Sequence, residues 1–250
     1  MITMYDNLLE YYDELFPVEQ SKIMYIEETL SKIGDDTGNS ALPRVLDVGC
    51  ATGTFDIQLM RRHMDVTGID NNATMIQSAC RRNPEPRTNA RFFRMDMREA
   101  AGALASNAYS AVLCLGNTLV HLENREEIGQ FLKEMHGLLV PGGAIVLQLV
   151  NYERILAEGI ERLPSIESTR CRFERLYTRR EDGRLNFEVT LFSSTEQIVF
   201  RDRSILFPLK ALDLEDALKA AGFARVSFRD SFETPDYSGT DLGLVCTAWR

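Results

Sequence analysis

Three acidic residues, Asp47, Asp70 and Asp96, each close a short apolar run, in RVLDV, VTGID and ARFFRMD. Carboxylates at the ends of buried strands cost free energy unless they are paired or bound. Three in succession suit a ligand with hydroxyl groups, amino groups or positive charge. Around the first of them lies LDVGCATG (residues 46–53), in which Gly49 and Gly53 let the backbone turn sharply and approach a ligand. Further along, GNTLVHL (116–122) offers the amide of Asn117 and the imidazole of His121, and NYERI (151–155) offers Asn151 and Tyr152. An imidazole can take up a proton near neutral pH, so this set could serve a ligand and a proton transfer together.

A frame must hold these groups. RVLDV, VTGID, ARFFRMD, YSAVLCLG and AIVLQLV read as strands. TFDIQLMRR, ATMIQSACRR and REEIGQFLKEMHGLLV read as the helices between them, the last ending before Pro141-Gly142-Gly143. That alternation predicts an α/β fold, a doubly wound, mostly parallel, Rossmann-like sheet with helices on both faces. Residues 1–40 read as an N-terminal helical cap, two runs separated by Pro17 and followed by a loop. Residues 41–166 form the core, 167–208 an antiparallel β insert of three strands, and 209–250 a final helix and two strands that rejoin the core as one structural domain.

In an open parallel sheet, ligands bind at the carboxyl ends of the strands. A phosphate-binding P-loop needs Gly-Lys-Ser/Thr, but Thr54 and Phe55 follow Gly53. A dinucleotide fold needs G-x-G-x-x-G, and Ala51 and Thr54 occupy the second and third glycine positions. S-adenosylmethionine has no pyrophosphate; its amino-acid end and ribose suit carboxylates and backbone groups. Asp70 lies about twenty residues after Gly49, the separation at which a carboxylate accepts from ribose hydroxyls. Asp96 can accept from an adenine amino group, and Met75 can pack on the adenine face. Singly, each residue has a plainer reading: Asp47 or Asp96 as a helix cap, Met75 as core, Gly53 as a turn. In order and spacing they point to the cofactor.

With these residues the sequence resembles the class I S-adenosylmethionine-dependent methyltransferases, through LDVGCATG (46–53), VTGIDNNATMI (66–76), RMDM (94–97), SAVLCLGNTLVHL (110–122) and LLVPGGAIVLQLVNYERI (138–155). The resemblance covers essentially residues 1–165 and the last helix and strands. It implies a seven-stranded sheet whose last strand, GLVCTAWR, is antiparallel. It also implies that Tyr5, Tyr12, Asp47, Gly49, Ala51, Gly53, Asp70, Asn71, Met75, Asp96, Met97 and Leu115 bind the cofactor. YDNLLEYYDELF (5–16) looks like the family's N-terminal helix, with Tyr5 and Tyr12 near one helical face. GNTLVHL and NYERI are similar to stretches of the glycine/sarcosine and amino-sugar N-methyltransferases. That likeness implies that Asn117, His121, Asn151 and Tyr152 line the acceptor pocket, with His121 as the base and Tyr12 orienting the methyl group or the base. Two departures stand out. The family commonly has glycine at Ala51. Glycine N-methyltransferases have a carboxylate-binding arginine where this chain has Val150, which leaves Arg201 or Arg203 of the insert as replacement cations.

The bulk properties narrow the partners. The 250 residues carry a formal net charge of −9, which disfavours a nucleic-acid partner. The arginines 170, 172, 175, 179 and 180 are interrupted by Glu174 and Glu181 and read as a solvated face. The N-terminus lacks a basic start followed by an apolar run, and no apolar stretch is long enough to span a bilayer. The cysteines, 50, 80, 114, 171 and 246, are widely spaced and odd in number, so they read as reduced thiols of a cytoplasmic protein with no metal site. The expected partner is a small-molecule methyl acceptor, most readily an amine nitrogen. A hydroxyl or carboxylate acceptor, and a cofactor-binding protein without catalysis, are the rival readings. The insert either covers the acceptor site or pairs two chains as a homodimer.

Overall fold

The computed structural model describes residues 4–33, 42–83 and 90–250. Three short helices come first: α1 (Met4–Leu8), α2 (Tyr12–Leu15) and α3 (Gln20–Ser31). The core then alternates β1 (Arg44–Val48), α4 (Thr54–Arg61), β2 (Asp65–Asp70), α5 (Ala73–Arg82), β3 (Ala90–Arg94), α6 (Ala100–Ala103), β4 (Tyr109–Cys114), α7 (Arg125–Leu138), β5 (Leu139–Val150) and α8 (Tyr152–Glu158). The insert contributes β6 (Ile166–Glu167), β7 (Cys171–Arg179), β8 (Leu185–Ser193) and β9 (Ile198–Leu206). The chain closes with α9 (Ala211–Ala220), β10 (Arg225–Arg229) and β11 (Gly243–Trp249).

The strand order is β3-β2-β1-β4-β5-β11-β10. β1 to β5 pair in parallel, and β11 runs antiparallel to both β5 and β10. β1, β2 and β4 are buried almost end to end, as strands covered on both faces must be, and their continuous apolar sequences reflect it. β3, at the edge, exposes Arg91, Phe93 and Arg94 instead. A second, antiparallel sheet has the order β6-β7-β8-β9. Leu8 and Leu15 of the cap pack with Phe173, Val189, Leu191 and Phe200 of that sheet, so cap and insert share one apolar cluster.

Two boundaries differ from the sequence reading. The helix expected to continue to Val140 stops at Leu138, and β5 starts at Leu139 and passes through Pro141–Gly143 as a bulge opposite Ser110. Pro141 has no N–H to give, and Gly142 takes φ +75°. In the cap, the Tyr11 N–H binds the Leu8 carbonyl at 2.9 Å in a tight turn, so α1 and α2 are separate helices. Tyr5 and Tyr12 therefore do not share the face of one continuous helix. No described helix is long and apolar enough to cross a membrane.

Candidate active site

A cavity of about 510 Å³ opens at the carboxyl ends of β1, β2, β4 and β5, beneath the cap and the insert. That is room for a small organic ligand. One wall is the turn after β1. Gly49 and Cys50 donate backbone N–H groups to the Ile69 carbonyl at 2.8 and 3.1 Å, which folds the turn over the end of β2. Gly49 has φ +87°, and a Cβ there would stand 2.7 Å from the Thr118 hydroxyl oxygen. The Ala51 N–H donates to Asp70 Oδ2 at 3.1 Å and the Asn72 N–H to Asp70 Oδ1 at 2.8 Å, fixing the carboxylate at the cavity wall. Burial raises the Asp70 pKa and those two N–H groups oppose the rise.

Ala51 itself has φ +48°, a left-handed conformation that costs an L-residue about 1 kcal/mol or more. Ala51→Gly should therefore raise Tm by about 1–4 °C, after the greater freedom of glycine in the unfolded chain is subtracted. A thermal melt showing a lower Tm would mean that the turn carries no such strain.

Behind the turn, Asp47 borders the cavity and Asp56, on α4, is fully buried. Neither Asp56 oxygen has a donor among the described residues. The two carboxyl groups interact, and two carboxyls can hydrogen-bond only when one is protonated. Burial, joined by the nearby Asp70 charge, pushes Asp47 up to about 7, against the favourable influence of the neighbouring Asp56 carboxyl and the attraction of Lys22. Burial pushes Asp56 well above the usual carboxylate range, and the Asp47 charge adds to it. The site thus stores a proton beside a cavity wall, where a cationic ligand group would favour its loss.

The opposite wall comes from the ends of β4 and β5. Asn117, at φ +70°, gives its amide N–H to Tyr152 Oη at 2.8 Å and accepts the Val150 N–H at 3.1 Å. Its side chain therefore ties β4 to β5 where both end. His121, at the end of a single 3-10 turn, borders the same cavity, and burial lowers its pKa. Its imidazole is neutral at pH 7 and able to accept a proton. Leu115, Asn71, Asp96 and Met97 also border the cavity. The Asp96 carboxylate is engaged by Arg98, through its backbone N–H at 3.0 Å and Nη2 at 2.8 Å, and the Arg98 side-chain bond holds its pKa below the usual carboxylate value.

The roof is latched. Asp13 of α2 accepts from Thr52 and Thr54 hydroxyls at 2.7 and 3.0 Å and pairs with Arg82 at 2.5 Å. Asn72 donates to Asp6 of α1 at 3.0 Å. Arg170 of the insert reaches Glu14 and Glu10 at 2.6 and 3.0 Å. Tyr12 borders the cavity and packs on Phe16 at 5.1 Å, which meets Phe173 edge-on at 6.0 Å.

Four named residues stand behind the cavity wall. A Cβ on Gly53 (φ +69°) would meet Phe92 and Ala79 at 2.7 and 2.8 Å, so the glycine serves the packing of α4. Met75 is 1% exposed, its N–H held by Asn72 at 2.8 Å, and its side chain belongs to the buried face of α5. Asn151 caps α8 and donates to the carbonyls of Gly239 and Asp241, each at 3.0 Å. Tyr152 is fully buried and acts through Asn117. Arg201 and Arg203 lie exposed on β9, away from the cavity, which removes them as cations for an acceptor. The side chain of Tyr5 lies outside the described residues.

Sequence reasoning missed Asp13, Thr52, Asp56, Gln148 and Arg175. Asp56 reads as one polar position of an exposed helix start. Arg175 had a signal: it occupies the apolar stripe Cys171, Phe173, Arg175, Tyr177 of a period-two strand.

The sheet order, the glycine turn and the carboxylates at the strand ends now stand together. The family model described as "Methyltransferase domain" matches residues 45–143. Over those residues the chain is similar to a methyltransferase domain. Its curated relatives include the glycine N-methyltransferase of Rattus norvegicus, 32% identical over 126 residues, 46% of this chain and 43% of that protein. The glycine/sarcosine N-methyltransferase of Aphanothece halophytica is 30% identical over 118 residues, 47% of this chain and 44% of that protein. The matches thus span less than half the length of these relatives. Among solved structures, the CcbJ methyltransferase of Streptomyces caelestis aligns with TM-score 0.78 over 99% of this chain and 98% of its own, at 18% identity. CalS10, an amino pentose methyltransferase of Micromonospora echinaspora solved with S-adenosylmethionine bound, aligns with TM-score 0.71 over 97% of each chain, at 20% identity. At such identities the structural likeness is one of fold.

Proposed function

We propose that this chain transfers a methyl group from S-adenosylmethionine to an amine nitrogen of a small molecule. One observation carries the reading: the cavity has a carboxylate-rich wall at Asp47 and Asp70 facing a wall that ends in a neutral, half-buried His121. The buried carboxyls without a cation among their described hydrogen-bond partners fit a cofactor with an ammonium and a sulfonium charge. Asp70, pre-oriented by two backbone N–H groups, would take the ribose hydroxyls, and Asp47 the amino end.

When bound, the cofactor supplies an electrophilic methyl group. The chain's own work is alignment, which can supply up to roughly 7–11 kcal/mol in favourable cases. Asn117, locked between β4 and β5, holds the shape of the acceptor wall. His121 takes the proton that an ammonium acceptor must lose. Tyr12 and the latched roof keep water out. The outer strand β9 exposes Ile198 and Val199, with Ile205 also exposed, and supports the insert as a contact in a homodimer. A cytoplasmic setting and an acceptor other than nucleic acid are part of the same reading, on the net charge of −9.

The test is calorimetric titration with S-adenosylmethionine and S-adenosylhomocysteine, followed by mass spectrometry of amine, hydroxyl and carboxylate acceptors. Methylation confined to nitrogen is expected. Methylation at oxygen overturns the nitrogen assignment, and cofactor binding with no acceptor methylated points to a binding protein.

A further inference from the structure

The cavity wall carries three long cationic side chains, Lys22, Arg98 and Arg175. Two are neutralised. Lys22 pairs with Glu19 at 3.0 Å, and Arg98 with Asp96 at 2.8 Å. Arg175, on β7, has no carboxylate within salt-bridge distance among the described residues. Its neighbours on the strand behave differently: Arg170 is held by Glu10 and Glu14, and Arg172 by Glu174 and Glu196. The guanidinium gives one hydrogen bond, from Nη2 to the Pro164 carbonyl at 2.7 Å. Its Nε–H is buried and has no acceptor among the described residues. Burial pushes the Arg175 pKa below the usual arginine value, the mark of a charge held out of water without a counter-charge.

A half-buried charge without a counter-charge and a buried N–H without an acceptor are both costly. Such a cost is tolerable where a ligand supplies the missing acceptor. A guanidinium matches a planar carboxylate through charge-assisted, paired hydrogen bonds. A single positive charge also matches a carboxylate better than a doubly charged phosphate.

We infer that Arg175, contributed by the insert, is a specificity-determining residue that anchors a carboxylate on the methyl acceptor. The acceptor is then a small acid that also bears the nucleophile. The inference rests on the reading of the chain as a small-molecule methyltransferase.

The experiment titrates the full chain, saturated with S-adenosylhomocysteine, with propionate and benzoate and with the two corresponding amides. The same titrations are made on Arg175→Gln and Arg175→Lys. In the wild type at least one acid should bind about tenfold or more tightly than its amide, about 1.4 kcal/mol. Arg175→Gln should abolish that preference and Arg175→Lys should keep part of it. S-adenosylhomocysteine affinity should be unchanged in both variants, which reports an intact fold; a residue that only braces Pro164 would not move the acid–amide ratio. Equal binding of acids and amides by the wild type, survival of the preference in Arg175→Gln, or tighter binding of inorganic phosphate than of either acid overturns the assignment. Selective carboxylate binding through Arg175 with no amine ever methylated would sink the amine reading and leave the anchor. Methylation of amines with no acid preference would do the reverse.

Discussion

Asp70→Ala is expected to weaken S-adenosylmethionine binding on the order of a hundredfold or more. A carboxylate that accepts from two ribose hydroxyls makes two charge-assisted hydrogen bonds, each worth about 1.5–3 kcal/mol. Together they exceed the 2.7 kcal/mol or so that a hundredfold change in Kd requires. Asp70 also holds the glycine turn through the Ala51 and Asn72 N–H groups, at 3.1 and 2.8 Å. Part of the loss in Asp70→Ala would therefore come from a looser turn. Asp70→Asn separates the two, since an amide keeps an acceptor for one N–H but lacks the charge. Calorimetry on both variants is the measurement. A Kd within about threefold of wild type in Asp70→Ala would remove this residue from the cofactor site.

Cofactor binding should also expel a proton. Asp47 titrates at about 7 beside Asp56, which is higher still, so near pH 6.5 the pair enters the complex protonated. A cation settling against Asp47 favours the carboxylate and lowers its pKa. Affinity should then rise with pH, by up to about tenfold per unit below 7, and level off through and above it. At pH 6.5, titrations in two buffers of different ionisation heat should reveal release of up to about three-quarters of a proton, the share of Asp47 still protonated there. Asp47→Asn should release almost none. A pH-independent Kd between 5.5 and 8 would show that no cation meets this pair.

The stability of the free protein runs the other way. A carboxyl whose folded pKa is raised binds its proton more tightly in the native state. Its contribution is full below the unfolded value, 3.8, and is lost as pH climbs through about 7. Acidification therefore favours the free protein through this pair while it disfavours the complex.

The parallel core was legible because its strands are covered on both faces. RVLDV and YSAVLCLG can read as little else, and the acids closing the strands mark the edge at which ligands sit. The turn was legible from Gly49, although the crowding that demands glycine there comes from Thr118, distant in sequence. What escaped depends on tertiary burial. Asp56 differs from an ordinary surface acid of a helix start only because α4 turns it toward Asp47. Met75 and Asn151 carry the expected residue types, but their side chains are committed to α5 and to the carbonyls of Gly239 and Asp241. Arg175 was hidden by its company. Flanked by arginines that form ion pairs, it looked like one more solvated charge until strand alternation put it on the inner face.

The walls and the roof of the cavity come largely from separate stretches of chain. Residues 45–143, the part that matches the methyltransferase family model, supply the glycine turn, Asp47, Asp70 and His121, while the roof side from Ile166 to Phe187 belongs to the insert. On the functional reading above, reagent and recipient are recognised by independently encoded modules. Selectivity could then be redesigned by exchanging one hairpin, with the machinery for methyl activation inherited intact.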